Sequence, residues 1–331
     1  MVVMTFSEEG LVAHDGELYV PVRLEAIRVN TTPDFDLYFR PGPAQPLVLY
    51  CERSVPFTEE TRDRLKNTPV ECFYIHQDYK RQYNRYLDQH LEDILQDPEL
   101  DVRKKAEILY DSALATVERI LLEPPSKENI ERGKAMVRQA VAFMNAQDFP
   151  LEHLLRHISC DYYLYSHSVN VMAYSIALAR RIGHRDVASL REMANGALLH
   201  DIGMGMVGPE LYRKEGALTP LEREKVKTHP SKGRQALLEI GNLGEIALDI
   251  VMHHHERLDG SGYPDRLRGD ALSPFVRIVA IADTFDALTT DRPYQPRRKT
   301  FPALSLMQRE MPQQIDMALF RSFVEIMGGT P

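Results

Sequence analysis

At 331 residues, with 44% apolar and 27% charged side chains, the chain has the composition of an ordinary globular protein large enough for two domains. A net charge of −8 leaves no basic surplus to neutralise a nucleic-acid polymer, no apolar run approaches the ~18–20 residues of a membrane-spanning helix, and the opening MVVMTFSEEGLVAHDG lacks the pattern of a signal peptide. Three cysteines, Cys51, Cys72 and Cys160, are odd in number and match no zinc spacing, so a reducing cytoplasm is the expected location.

The chain changes character twice. Between residues 17 and 76, ELYVPVRL alternates apolar and polar positions, DFDLYFR and PLVLYC are short and β-rich, and VECFYIH closes a set of predicted strands. FTEETRDRL among them is predicted as a helix capped by Thr58, with acids in its first turn. From about Tyr79 the pattern is helical and charged; EPPSKEN breaks it, and it resumes at Ile130. The expected organisation is a mainly α chain: a small α/β, β-rich regulatory domain over residues 1–98, a helical connector over 99–147, and an all-helical bundle over 148–331.

Within that bundle two carboxylates fall on apolar faces. REMANGALLHDIG places Asp201 with Ala194, Ala197 and Leu198. SPFVRIVAIADTFDALTT, with Ser273 as cap and Pro274 as first helical residue, places Asp283 with Val279, Ala280 and Ala287. A buried carboxylate is costly unless a cation pairs with it, and neither has a lysine or arginine three or four residues away.

Seven of the twelve histidines fall between positions 167 and 255. His167 opens HSVNVMAYSIALARRIG, whose Val171, Tyr174 and Leu178 face inward. His229 ends LTPLEREKVKTHP, a helix with a capping box from Thr219 to Glu222 that Pro230 stops. His254 closes the inward face of Ile246, Ile250 and Val251. Mixed imidazole and carboxylate ligands suit iron, manganese, zinc or nickel better than calcium or magnesium. Four or more histidines with two carboxylates exceed the needs of one ion, and a bridging carboxylate makes a two-metal site. Taken alone, a histidine run can simply favour the dipole of a helix end, and DGSGYP is a common turn; the joint pattern favours metal.

HD at 200–201, HHE at 254–256 and GYP at 262–264 resemble the HD-GYP family of cyclic dinucleotide phosphodiesterases. YYLYSHSVNV, LLHDIG, KTHPSKG, HHHERLDGSGYPDRLRG, RIVAIADTFDALTTDRPY and ALFRSFVEIMGG extend the likeness over about residues 155 to 327. The resemblance implies the metal ligands His167, His200, Asp201, His229, His254, His255 and Asp283. Asp201 would bridge two divalent transition-metal ions, iron or manganese ahead of nickel or zinc. It also implies catalytic roles for Asp201 and His200, and substrate contacts at Gly262, Tyr263, Pro264, Asp286 and Arg292. His253 is then left as a supporting or surface group. Gly260 and Gly262 allow close backbone approach, Pro264 stiffens the loop, and Tyr263 offers a flat face to a base.

Three positions depart from the family pattern. Tyr163 stands where three-metal members carry glutamate, which implies two ions. Met204 replaces the lysine of HDIGK and removes a cation beside the scissile phosphate. Gln295 replaces the last residue of RPYK, while Arg292 is retained for bidentate phosphate contact. The expected function is metal-assisted hydrolysis of cyclic di-GMP with no protein nucleophile, with slow opening to pGpG and inefficient conversion of pGpG to GMP because Met204 and Gln295 hold the phosphates less firmly. The alternative, favoured by Met204 and Gln295, is a cyclic-dinucleotide receptor with an intact metal site and little turnover. A mononucleotide hydrolase of the wider HD type is disfavoured by the GYP and RPY segments. Expected partners are the cyclic dinucleotide and, through the N-terminal domain, a second copy or a signalling protein, with no nucleic-acid polymer and no membrane insertion.

Overall fold

A computed structural model describes residues 11–42, 45–65, 70, 72–123, 125–146, 164–208, 211, 214, 216–291 and 297–328. The chain divides into two compact units, residues 1–112 and 113–331. The division falls inside helix α3 (Val102–Leu122), within the segment expected to be a connector.

In the first unit, β1 (Val12–His14), β2 (Glu17–Arg23), β3 (Leu37–Phe39), β4 (Val48–Cys51) and β5 (Cys72–His76) form one antiparallel sheet in the order β1-β2-β5-β3-β4. Asp15 and Gly16, at φ 51° and 82°, make the tight β1–β2 turn, where a right-twisted hairpin needs two positive-φ residues. Pairing of Val20 with Ile75 and of Val22 with Phe73 puts all four on the buried face, where Phe35, Leu37 and Phe57 join them. Helix α1 (Glu59–Asp63) starts as predicted at Thr58, whose Oγ1 accepts the Thr61 N–H at 3.2 Å. Helix α2 (Lys80–Gln96) buries Tyr86, Leu87, Leu91, Ile94 and Leu95 along one side, and Arg28 bonds Asp97 just beyond its end at 2.6 Å.

The second unit is all-helical among the described residues. It contains α4 (Lys127–Asn145), α5 (Leu164–Arg181), α6 (Val187–Leu199), α7 (Met204–Val207), α8 (Pro220–Val226), α9 (His229–Ile240), α10 (Glu245–His253), α11 (Pro274–Thr289), α12 (Thr300–Glu310) and α13 (Met317–Gly328). Helix α5 packs against α6 and α11, and α6 packs against α10. The α6–α10 approach depends on Gly196: a Cβ there would lie 2.9 Å from Ile250 Cβ and 3.0 Å from Ala247 Cα. Gly203 does the same for the turn after α6, where a Cβ would meet the His229 carbonyl oxygen at 2.0 Å. The predicted capping box of α8 is present between Thr219 and Glu222, and Ser273 caps α11 with Pro274 in its first turn. Pro230 differs from expectation. Helix α8 has already ended at Val226, and Pro230 sits in the first turn of α9, where a missing N–H and a fixed φ are favourable. His229 therefore begins a helix rather than ending one. No helix among the described residues is long and apolar enough to cross a membrane.

Candidate metal centre

Five segments deliver the chemistry to one place. His167 comes from the first turns of α5, His200 and Asp201 from the end of α6, His229 from the start of α9, His254 and His255 from the end of α10, and Asp283 from the middle of α11. They form two groups whose potential ligand atoms lie within 4.8 Å of one another: Asp201, His229, His254 and His255, and His167, His200 and Asp283. Asp201 joins the two. Its Oδ1 is 3.1 Å from His229 Nε2, while its Oδ2 is 3.4 Å from His200 Nε2 and 3.8 Å from His167 Nε2.

Hydrogen bonds at the far nitrogens fix which atoms face the centre. Nδ1 of His200 lies 2.7 Å from the Ala197 carbonyl oxygen, Nδ1 of His229 2.8 Å from that of Val226, and Nδ1 of His254 3.1 Å from that of Val251. A carbonyl can only accept, so each Nδ1 carries the hydrogen and each Nε2 turns a lone pair inward. His229 and His254 turn those lone pairs on each other, their Nε2 atoms 3.1 Å apart, and the Nε2 atoms of His167 and His200 are 3.2 Å apart. Two buried acceptors at hydrogen-bond distance with a carboxylate between them repel unless a cation sits among them.

The protonation states are those of a pocket that attracts cations: burial opposes a charge on His200, yet Asp201 raises it above the usual imidazole range. Burial and the neighbouring histidines hold His254 well below the usual imidazole range, and burial, joined by His229, holds His255 down to about 3 despite Asp283. Burial opposes ionisation of Asp201 and Asp283, but the surrounding imidazoles outweigh it and keep both well below the usual carboxylate range. Burial likewise opposes a charge on His167, yet its bonds to Asp283 and Asp286 raise it to about 10. The carboxylates thus favour a cation at His167 Nε2, and a metal ion is one that can bind the facing His200 nitrogen as well. Neutral imidazoles and ionised carboxylates are the forms that bind metal. The residues present fit a pair of divalent transition-metal ions.

Asp286, expected at the substrate, lies elsewhere. It is buried behind His167, its Oδ2 2.7 Å from His167 Nδ1 and 3.2 Å from Thr290 Oγ1, and its Oδ1 accepts from Asn170 at 2.9 Å. Its place is to hold the His167 ring, because a carboxylate satisfied by three donors in the core cannot also reach a ligand. Sequence reasoning missed Asn170, although it lies three residues after His167 on the same helix face.

The loop after α10 is also held from inside. Glu256 is fully buried and its carboxylate accepts the backbone N–H groups of Asp265, Arg266 and Leu267 at 2.6–3.1 Å. Nothing in the local pattern distinguishes it from a solvated acid. His253 bridges Asp249 at 2.7 Å and Asp265 at 3.0 Å, tying the same loop to α10. Gly262 is buried against the chain, since a Cβ would lie 2.5 Å from His255 O and Arg257 N; this approach lets Tyr263, joined to Pro264 by a cis peptide, stack on His255 with ring centroids 4.8 Å apart. Met204 is buried and apolar, with 8% of its surface exposed, and brings no charge. Tyr163, Arg292 and Gln295 lie outside the described residues.

The family model described as HD domain matches residues 153–319, half of the chain. The chain belongs to the HD domain family. It is 39% identical to the cyclic di-GMP phosphodiesterase PA4108 of Pseudomonas aeruginosa, over 54% of this chain and 42% of that one. It is 34% identical to the cyclic di-GMP phosphodiesterase response regulator RpfG of Xanthomonas campestris pv. campestris (59% and 48%), and 32% identical to the 3'3'-cGAMP-specific phosphodiesterase 3 of Vibrio cholerae (51% and 36%). This HD domain protein thus spans less than half the length of the curated relatives it matches. Bd1817, an HDG"Y"P protein from Bdellovibrio bacteriovorus, shares its fold with a TM-score of 0.65 and 24% identity, covering 94% of this chain and 100% of that one. The HD-GYP resemblance read from the sequence is supported by these matches.

Proposed function

We propose that this HD domain protein is a metal-dependent phosphodiesterase that opens cyclic di-GMP slowly to linear pGpG and converts pGpG inefficiently to GMP. The observation that carries this reading is the double pair of facing imidazole nitrogens spanned by the two oxygens of Asp201. His229, His254, His255 and Asp201 would hold one ion, and His167, His200, Asp283 and Asp201 the other; iron or manganese suits these ligands first, nickel or zinc next. Ions held there supply Lewis-acid polarisation of a phosphoryl oxygen and acidify water at neutral pH. The chain's own part is to hold its donors rigid. Asp201 fixes the spacing of the two groups, the backbone carbonyls of Ala197, Val226 and Val251 aim three imidazoles, and Asp286 aims the fourth. Tyr263, stacked on His255, offers a ring to a base, and Arg292 is assigned to a phosphate. The relatives named for cyclic di-GMP and for 3'3'-cGAMP support a cyclic dinucleotide as substrate. The β-rich first unit is assigned the regulatory role, receiving a signalling partner or a second copy.

A second reading is a cyclic-dinucleotide receptor with little turnover. The buried, uncharged Met204 favours it. Incubation of metal-replete protein with cyclic di-GMP under reducing conditions, with products followed by chromatography, separates the two. Formation of pGpG that Asp201→Ala abolishes supports the phosphodiesterase. Binding without hydrolysis establishes the receptor, and absence of both rejects the substrate.

A further inference from the structure

Arg257 is a half-buried cation on the loop after α10. Its guanidinium donates to the Glu256 carbonyl oxygen at 3.2 Å and to Thr284 Oγ1 at 3.3 Å, and no carboxylate pairs with it among the described residues. Thr284 follows Asp283 on α11, and the Arg257 charge is close enough to His255 to oppose protonation of that ring. The nearby acids make their hydrogen bonds elsewhere, although the Arg257 charge also reaches Asp259. Glu256 is closed on three backbone N–H groups, Asp259 accepts from Ser261 N and Oγ at 2.9 and 2.6 Å, and Asp283 faces His167 and His255. Thr284 cannot serve as a charge partner, and its own hydroxyl hydrogen goes to the Ala280 carbonyl at 2.7 Å.

Other cations around this loop differ in kind. Lys227, over the Tyr263 ring at 5.9 Å, is paired with Glu224 at 2.6 Å. Arg277 is shared between Asp270 and Asp316, and Arg266 and Arg268 are exposed. A guanidinium that is partly desolvated, anchored by neutral oxygens and outside any ion pair among the described residues is poised for an anion, which it can take in bidentate fashion.

We infer that Arg257 binds a second anionic group of the substrate, beside the phosphodiester held at the metal centre. This rests on the phosphodiesterase reading only in expecting a ligand with two phosphates, and it makes Arg257 a residue that selects ligands with two phosphates over those with one.

Calorimetric titration of the metal-loaded full chain tests it with three probes: cyclic di-GMP, guanosine 3′,5′-bisphosphate and guanosine 5′-monophosphate. Elemental analysis before and after each titration confirms equal metal content. Arg257→Gln is expected to weaken the two bisphosphate ligands tenfold or more and the monophosphate less than twofold, with Arg257→Lys recovering part of the loss. The loss should also shrink as salt is raised. Equal weakening of all three probes, or of none, overturns the inference. If wild-type protein ignores cyclic di-GMP yet still shows the Arg257-dependent preference for the bisphosphate, the substrate assignment falls and Arg257 stands as an anion site.

Discussion

At the residue scale the centre depends on groups that never face it. A histidine ligand binds metal well when its other nitrogen is held and made more basic, and Asp286 does this for His167 while Asn170 and Thr290 saturate the carboxylate. Asp286→Asn keeps an acceptor of the same shape and removes the charge. It should weaken metal binding at the His167, His200 and Asp283 group by about 10–100-fold, with less effect at the group built on His229, His254 and His255. Competition against a graded chelator, followed by elemental analysis, measures both stoichiometry and affinity. Unchanged affinity would remove Asp286 from this role.

At the scale of elements, the proposed ligands meet because two helices approach more closely than side chains allow. Gly196 lies one turn before His200 on α6, and Ile250 one turn before His254 on α10. In an exposed helix, glycine to alanine stabilises by about 0.5–1 kcal/mol. Here the added methyl meets backbone and a β-branched side chain at 2.9–3.0 Å, so the sign reverses. Gly196→Ala should destabilise the second unit by about 1–3 kcal/mol, as overpacking does, and should lower its metal content because His200 and Asp201 move from His254. Thermal unfolding with metal analysis checks both effects, and a rise in Tm would refute the packing account. Nothing in GALLHDIG marks Gly196 as a contact point, since a helical glycine reads only as a weak propensity.

For the whole molecule, two units imply two responses. Metal bound to the native second unit stabilises it by mass action, about 2.7 kcal/mol at a free concentration roughly a hundred times Kd, or roughly 5–10 °C in Tm for a unit of this size. The first unit takes its stability from Phe35, Leu37, Phe57, Phe73 and Ile75 and holds none of the proposed ligands. Calorimetry with and without chelator should therefore show one transition moving down and the β-rich unit's transition staying in place. A uniform shift of all unfolding heat would mean that the metal stabilises the chain as one cooperative block.

Much of this was legible in the sequence because it follows from local rules. The alternation of ELYVPVRL, the caps at Thr58, Thr219 and Ser273 and the apolar faces around Asp201 and Asp283 are each set by a few neighbouring residues. Two carboxylates on apolar faces with no cation of their own pointed to a positive partner before any contact was visible. Tertiary structure decided the rest. Asp286 and Asp283 sit on one helix three residues apart, yet only their packing shows that one faces the centre while the other turns to the back of His167. His229 was assigned to the wrong helix because a proline marks an end and a beginning equally well. The burial of Glu256 on a loop's backbone N–H groups and the anchoring of Arg257 on Thr284 depend on a chain reversal, and that reversal is a property of the folded loop rather than of any periodicity. Which acid stays free to neutralise which base is settled only when all of them are placed in space.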